Sequence, residues 1–447
     1  MKNVYDILVE RGFVAQVTDE DPLSDLLQNN SITFYIGFDP TAASLHIGSL
    51  VPIMALMHMQ KHGHRPIVLI GGGTGLIGDP SGKTEMRQLL TREQIDINAH
   101  CLQGQLSRYV DFHNRKSLLL NNTDWLTKLN YIEFLRDIGR HFSVNKMLAA
   151  ESYKIRLEKG LNLIEFNYML LQAYDFLYLF EHEDCLLQMG GNDQWGNILA
   201  GIDLIRRVKG KLAYGMTFPL LVTSRGYKMG KTEKDAVWLD PLLTTPYDYY
   251  QYWINTDDED VEKFLSLFTF LPMEEIKKIR KLADYELNMA KAVLAFEATK
   301  ITHGDASAIA AFEESVQLFG SRSVERGLFP SSTIPRNDVR RAMHGGITSL
   351  SVTASGHSSL QVDRARLEVG IPAFELFYEA GVCTSKGEAR RVLSQGGGYV
   401  NDRQIINFDE KITVAHVNEQ GKIILRKGKK TYFIVTVYSL KKISNSA

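Results

Sequence analysis

The clearest pattern of apolar and polar positions opens at residue 32. In ITFYIGF, residues 32–38, Phe34, Ile36 and Phe38 fall on one side of a short alternating strand. Gly37 leaves the strand end open to close approach by a ligand. Asp39-Pro40-Thr41 then stops the strand, because proline has no N–H to give to a ladder. From about Ser49 to His62 the chain is almost wholly apolar and predicts a helix, ended by Gly63. Residues 66–70, PIVLI, are an unbroken apolar run, as in a parallel strand buried on both faces. Strand, helix and parallel strand make a βαβ unit, so the expected fold is α/β with a Rossmann-like open parallel sheet.

The same pattern divides the rest of the chain. Residues 1–30 read as a helix and an acidic connection. Residues 88–160 carry mixed charge at helical spacing, and residues 161–180 are apolar nearly all round, the mark of a buried helix. Together they predict a helical insertion over roughly 100–185 within a catalytic domain of residues 1–222. A loop and an all-helical domain follow at 223–345. A linker rich in Ser, Thr and Gly is expected at 346–370, and a small separate α+β domain at 371–447.

Charge and composition narrow the function. The 51 Lys and Arg nearly cancel the 52 Asp and Glu, so any nucleic acid must be met by local patches. One patch lies in the tail, where no acidic residue follows Glu419 but Lys422, Arg426, Lys427, Lys429, Lys430, Lys441 and Lys442 do. The three cysteines are far apart without CxxC spacing, which argues against a zinc site or a disulfide framework. No run approaches the about 20 apolar residues that span a bilayer, and the N-terminus lacks the core of a signal peptide. A soluble cytoplasmic protein is expected.

Candidate chemistry sits where predicted strands end. His46-Ile47-Gly48-Ser49 stands at a strand–turn–helix junction, where backbone N–H groups and a partial positive charge face an anion. Taken alone, a histidine near a helix start is usually just a polar surface residue. Gly73, Gly75 and Gly78 spell GxGxxG, but Asp79-Pro80-Ser81-Gly82 follows and cannot extend the required helix. A Walker loop fails too, because Ile77 occupies its first glycine position. The stretch reads instead as a Gly-rich loop that brings Asp79 to the carboxyl edge of the sheet. Tyr168, Gln172 and Asp175, at i, i+4 and i+7, share one helix face. A carboxylate in an apolar helix needs a partner or a ligand. Gln188, Asn192, Asp193 and Gln194 crowd a second strand-end turn, whose alternative is an Asx turn capping the helix at 198–208. The Gly/Lys loop at 224–240 suits a polyphosphate, or plain solvation. His58 and His62 are one helical turn apart but lack a carboxylate partner, so no metal site is expected.

Over essentially its whole length the chain resembles the bacterial tyrosyl-tRNA synthetases, class I enzymes. His46-Ile47-Gly48-Ser49 looks like their HIGH signature, and Lys228-Met229-Gly230-Lys231-Thr232 like their KMSKS loop. YIGFDPTA, GDPSGK, the helix of Tyr168, Gln172 and Asp175, and GGNDQWGN resemble their tyrosine-site segments, in the family's order. Residues 371–405 resemble an S4-type RNA-binding module. Ser49 departs from the second histidine of HIGH, and Gly230 and Thr232 from the serines of KMSKS. Altered ATP affinity is expected from Ser49, not lost function.

The resemblance implies a tyrosine–tRNA ligase with two steps: attack of tyrosine's carboxylate on the α-phosphorus of ATP, then transfer of the acyl group to the terminal adenosine of tRNA(Tyr). It implies catalytic roles for Thr41, His46, Gly48, Lys228 and Lys231, with Mg²⁺ carried on ATP and no tightly bound cofactor. ATP would lie on Gly37, Asp39, His46, Gly48, Ser49, Gly191, Asp193 and Lys231, with Lys83 and Arg87 near pyrophosphate. Tyr35 and Asp175 would read the phenol, and Tyr168, Gln172 and Asp79 the ammonium, with Gln188 and Gln194 completing the tyrosine site. Arg390, Arg391, Lys427, Lys429 and Lys430 would meet RNA, and a homodimer is implied. A nicotinamide enzyme, a tryptophan-specific synthetase and a non-catalytic RNA-binding scaffold are the rival readings.

Overall fold

In the computed structural model, the described residues are 2–81, 90–150, 153–154, 157, 160–226, 229, 236–282, 285–319, 328–335, 360–383, 385–401, 403–418, 421–428 and 431–438. They fall into two compact units, Met1–Gly345 and Gly346–Ala447.

The first unit begins with helix α1 (Val4–Arg11), whose N-terminus is capped by the Asn3 side chain and whose end turns at Gly12, φ +86°. Its sheet uses strands β1 (Gln16–Val17), β2 (Thr33–Phe38), β3 (Arg65–Ile70), β4 (Leu118–Asn121), β5 (Cys185–Gly191) and β6 (Tyr214–Phe218). Their order is β1-β6-β5-β2-β3-β4, parallel throughout except for the edge strand β1. The chain runs outward from β2 to β4, then returns to β5 on the other side of β2. That reversal opens a crevice beyond the carboxyl ends of β2 and β5, where open α/β sheets take their ligands.

The expected apolar helix is α2 (Leu50–Lys61), entered through a 3-10 turn at Ile47–Ser49 and ended by Gly63 at φ +88°. The buried helix predicted at 161–180 is α3 (Leu163–Glu183), started by a reciprocal capping box of Asn162 and Glu165. A helix α4 (Trp195–Lys209) follows β5 and ends at Gly210, φ +63°. Farther on, α5 (Pro246–Ile254), α6 (Val261–Phe268), α7 (Tyr285–His303) and α8 (Asp305–Phe319) form the helical part. Their apolar side chains join the same buried core as β2, α2 and α1.

Three expectations need amending. The segment read as a mostly helical insertion contains β4, which pairs in parallel with β3 and so belongs to the sheet. Its run Leu118-Leu119-Leu120 is too short to carry a period and was masked by the helices around it. The glycine loop after β3 opens with one helical turn, Gly72–Gly75. Gly71 and Gly72 are needed there: a Cβ at Gly71 would lie 1.9 Å from Asp39 Oδ1, and one at Gly72 2.4 Å from Asn121 Oδ1. Third, the expected linker at 346–370 is structured from Leu360 onward. Leu360–Asp363 is a strand, β7, parallel to β13 (Thr431–Tyr438), and Arg364–Val369 is helical.

The second unit has a sheet ordered β10-β9-β12-β13-β7, with β9 (Gly398–Val400), β10 (Arg403–Ile405) and β12 (Lys422–Lys427). Helices Ala373–Glu379 and Lys386–Ser394 contribute to its own core through Phe374, Leu376, Phe377, Ala389 and Leu393.

Candidate active site

The crevice between β2 and β5 gathers the side chains singled out along the chain. Tyr35 on β2 and Gln188 on β5 are neighbours in register, and both are buried. The Tyr35 hydroxyl and Gln188 Oε1 have no hydrogen-bond partner among the described residues. A buried polar atom left unpaired is costly, so two at one strand junction mark a place where a polar ligand belongs.

Asp175, on α3, faces the same junction. Its Oδ1 accepts from Trp125 Nε1 at 2.7 Å and its Oδ2 from Asn122 Nδ2 at 2.9 Å. Burial pushes its carboxyl up to about 7, against the pull of those two donors. Tyr35 is held far above the usual phenol range by burial and then by the nearby Asp175 charge. Asn122 also accepts from Gly73 N–H at 2.7 Å through Oδ1, and gives its second amide hydrogen to Thr74 Oγ1 at 3.0 Å. Thr74 in turn donates to Asp39 Oδ1 at 2.8 Å, and Tyr168 donates to Asp39 Oδ2 at 2.9 Å. One chain of hydrogen bonds thus links Asp39 to Asp175.

Asp79 lies at the sheet edge as expected, buried, with Ser81 N–H donating to Oδ1 at 2.9 Å and Gln194 Nε2 to Oδ2 at 2.6 Å. Burial raises its carboxyl above the usual range. Asn197 donates to Gln172 Oε1 at 3.0 Å and to Gln194 Oε1 at 3.1 Å, tying α3 to the turn after β5. The donors named on Asp39, Asp79 and Asp175 are all neutral. Asp79 and Asp175 are buried carboxylates, beside which a donor or cationic group of a ligand is favoured.

The phosphate side lies at the start of α2. Gly48 N–H donates to His46 Nδ1 at 3.0 Å, so the ring carries its proton at Nε2, a donor for an anion. Gly37 is exposed, with open space where a Cβ would stand, and Thr41 is exposed in the following turn. Ser49 and Gly48 are half-buried. A Cβ on Gly48 would come within 2.7 Å of the His46 ring, and one on Gly191 within 2.5 Å of Asp193 Oδ1, so a side chain at either would push its neighbour aside. Asp193 is exposed at the end of β5. Lys83, Arg87, Lys228 and Lys231 lie outside the described residues, as do Lys429 and Lys430 of the second unit.

In the second unit Arg390 lies over Phe374, 4.2 Å from the ring centroid, and Arg391 is exposed. Lys427 pairs with Glu388 at 2.6 Å, which offsets its charge within the unit. Of the histidines weighed for a metal, His58 is buried between Phe13 and Phe270, and burial drives its pKa down to about 3. No group of three metal-ligating side chains occurs among the described residues.

Asn122, Trp125, Thr74 and Asn197 escaped the sequence reading. The only available signal was SLLLNNTDW, an apolar run closed by Asn and Thr, as at the other strand ends.

A family model described as tRNA synthetases class I (W and Y) matches residues 27–320, and one described as tyrosine–tRNA ligase SYY-like C-terminal domain matches residues 359–435. A tyrosine–tRNA ligase of Syntrophus aciditrophicus is 64% identical over 437 residues, covering 98% of this chain and 99% of the relative. One of Clostridium botulinum is 50% identical over 437 residues, covering 98% and 100%. A C-terminally truncated mitochondrial tyrosyl-tRNA synthetase of Aspergillus nidulans is similar in structure, with TM-score 0.64 and 32% identity, over 71% of this chain and 95% of that one. A tryptophanyl-tRNA synthetase of Encephalitozoon cuniculi shares the fold at TM-score 0.53 and 14% identity, over 72% of this chain and 93% of that one.

Proposed function

Since the chain belongs to the class I tyrosine–tRNA ligases, we propose that the crevice between β2 and β5 activates tyrosine and that the side chains gathered there divide the work as follows. The observation that carries the reading is the pairing of a buried carboxylate, Asp175, with an unpartnered buried phenol, Tyr35. A ligand phenol entering between them donates to Asp175 and accepts from Tyr35. Phenylalanine would leave the Tyr35 hydroxyl buried and unpaired and would bring no donor to Asp175, which disfavours it. Asp79, Gln172 and the Tyr168 oxygen accept from the ammonium group. Gln188 and Gln194 complete the walls.

ATP lies across Gly37, Gly48 and Gly191, with its ribose towards Asp39 and Asp193. Thr41, the Nε2–H of His46, Lys228 and Lys231 hold the phosphates. Mg²⁺ arrives on ATP as part of the substrate, and Lys83 and Arg87 serve the departing pyrophosphate. Tyrosine's carboxylate attacks the α-phosphorus, the bond to pyrophosphate breaks, and tyrosyl-adenylate remains. The attacking carboxylate is already a nucleophile, so catalysis comes from positioning and charge stabilisation. The acyl group then passes to the terminal ribose of tRNA(Tyr). The second unit, an S4-like module, supports this step, with Arg390, Arg391, Lys427, Lys429 and Lys430 as its RNA-binding residues.

A cytoplasmic homodimer is part of the proposal. No helix among the described residues is long and apolar enough to cross a membrane. A cavity of about 850 Å³ on the first unit is lined by Phe142, Met147, Met169, Trp195, Leu199 and Leu220, an apolar surface suited to a second copy of the chain.

The test is pyrophosphate exchange into ATP with tyrosine, tryptophan or phenylalanine added. Exchange with tyrosine alone supports the assignment. Exchange with tryptophan would keep the fold and overturn the pocket's reading.

A further inference from the structure

We infer that Trp238 is a positioning residue for His46. The inference rests on His46 serving the phosphates, as proposed above. The turn carrying His46 is held from two sides by groups other than its own ring. On one side Ile47 N–H donates to Val237 O at 2.9 Å and Leu239 N–H to Leu45 O at 2.8 Å, an antiparallel bridge that sets His46 opposite Trp238. On the other, Gln105 Oε1 accepts from Leu45 N–H at 3.0 Å, and Gln105 Nε2 donates to Ala43 O at 3.4 Å. Neither set involves the side chain at 238. The backbone path from Ala43 to Ile47 is therefore set whatever residue stands there.

These bonds leave the imidazole itself to be placed. It is exposed to solvent. Two contacts bracket the ring. Gly48 N–H fixes Nδ1 as an acceptor at 3.0 Å, and the absent Cβ of Gly48 leaves room for the ring to lie against the backbone. The indole of Trp238 meets it edge to face, with ring centroids 6.4 Å apart and planes at 67°. That geometry is favourable between aromatic rings. Trp238 is half-buried, and its backbone N–H donates to Thr244 Oγ1 at 2.9 Å, so the indole grows from a fixed point. A ring flip at His46 would break the Nδ1 bond and swing the Nε2–H donor away from an incoming phosphate. None of these residues is among those proposed to read tyrosine, so the effect is expected on the phosphate side.

The experiment is pyrophosphate exchange by the full chain, comparing Trp238→Leu, Trp238→Phe, His46→Ala and the double variant His46→Ala/Trp238→Leu. Trp238→Leu is expected to lower kcat about tenfold, less than the roughly hundredfold that a full misplacement can cost, with the KM for tyrosine within about twofold of the parent. Trp238→Phe, which keeps an aromatic edge, is expected to recover most of the loss. In the His46→Ala background Trp238→Leu is expected to add nothing, because coupled residues are not additive. Equal losses in both backgrounds, or a tyrosine KM that rises as kcat falls, would show a general structural role and overturn the inference. Full exchange by Trp238→Leu beside a crippled His46→Ala overturns this inference alone. Full exchange by His46→Ala overturns the phosphate reading and this inference together. Melting curves on each variant separate misfolding from mispositioning, and Trp238→Phe keeps the test decisive if Trp238→Leu fails to fold.

Discussion

Asp175, proposed above to read the phenol, ties a predicted affinity to a predicted pH dependence. It is buried, its oxygens receive Asn122 and Trp125, and its pKa is pushed up to about 7. Asp175→Asn removes the charged acceptor. It is expected to weaken tyrosine binding by about 1.5–3 kcal/mol, roughly ten- to a hundredfold, with ATP binding little changed; calorimetry with each ligand checks this. The titration has a sign. The folded carboxyl binds its proton more tightly than the unfolded one, whose ordinary value is 3.8. Between pH about 4 and about 7 the native state therefore holds the extra proton, and stability falls as pH rises through that window. Thermal melts of the ligand-free protein should show that slope, and Asp175→Asn should flatten it. Tyrosine affinity should run the opposite way, rising with pH towards neutrality as the acceptor becomes charged. Removing a donor, as in Trp125→Phe, should move that midpoint upward, since both donors favour the ionised form.

At the scale of elements, the sheet order does the assembling. The return of the chain from β4 to β5 places Tyr35 beside Gln188 although 153 positions separate them in sequence (188 − 35). The helix face of Tyr168, Gln172 and Asp175 could be read from spacing alone, because helical periodicity is local. The donors to Asp175 could not, since they follow β4, a four-residue strand hidden among helices. A buried staple joins elements farther apart. Arg11, at the end of α1, donates to the carbonyls of Ser266, Thr269 and Leu271 at 2.9, 2.9 and 2.5 Å. These carbonyls lie at and beyond the C-terminus of α6, where helix carbonyls lack internal partners and a cation is favourable. Arg11→Met keeps much of the stem but strips three buried carbonyls of their donor. It is expected to destabilise the first unit by about 2–4 kcal/mol, read as a lower denaturation midpoint with unchanged slope.

At the scale of the molecule, the chain divides at Gly345/Gly346, and each unit has its own core. Removing residues 346–447 should therefore leave a folded first unit that makes tyrosyl-adenylate at close to the parent rate but charges tRNA at least tenfold less efficiently. Comparing pyrophosphate exchange with aminoacylation separates the two effects, and undiminished charging would remove the RNA role from the second unit. The cut belongs at 346 and not at 371, because β7 pairs with β13 and a later cut would strand it. Sedimentation equilibrium tests the dimer. Leu220→Asp, on the apolar cavity wall, should shift mass towards the monomer.

The chain's own pattern determined the βαβ opening, the buried helix with its polar face, the glycine turns at strand ends and the separateness of the tail. Each of these follows from short-range periodicity or from residues with one dominant conformational preference. Which polar groups complete the pocket was decided only by the tertiary structure. Asn122 faces Asp175 because β4 lies beside β3, and Tyr35 faces the same carboxylate because α3 crosses the sheet near β2. Such contacts depend on strand order and register, which a linear pattern does not encode. The shifted pKa of Asp175 belongs to that second class as well, because it arises from burial among elements remote in sequence, and an aspartate in the chain carries no mark of it.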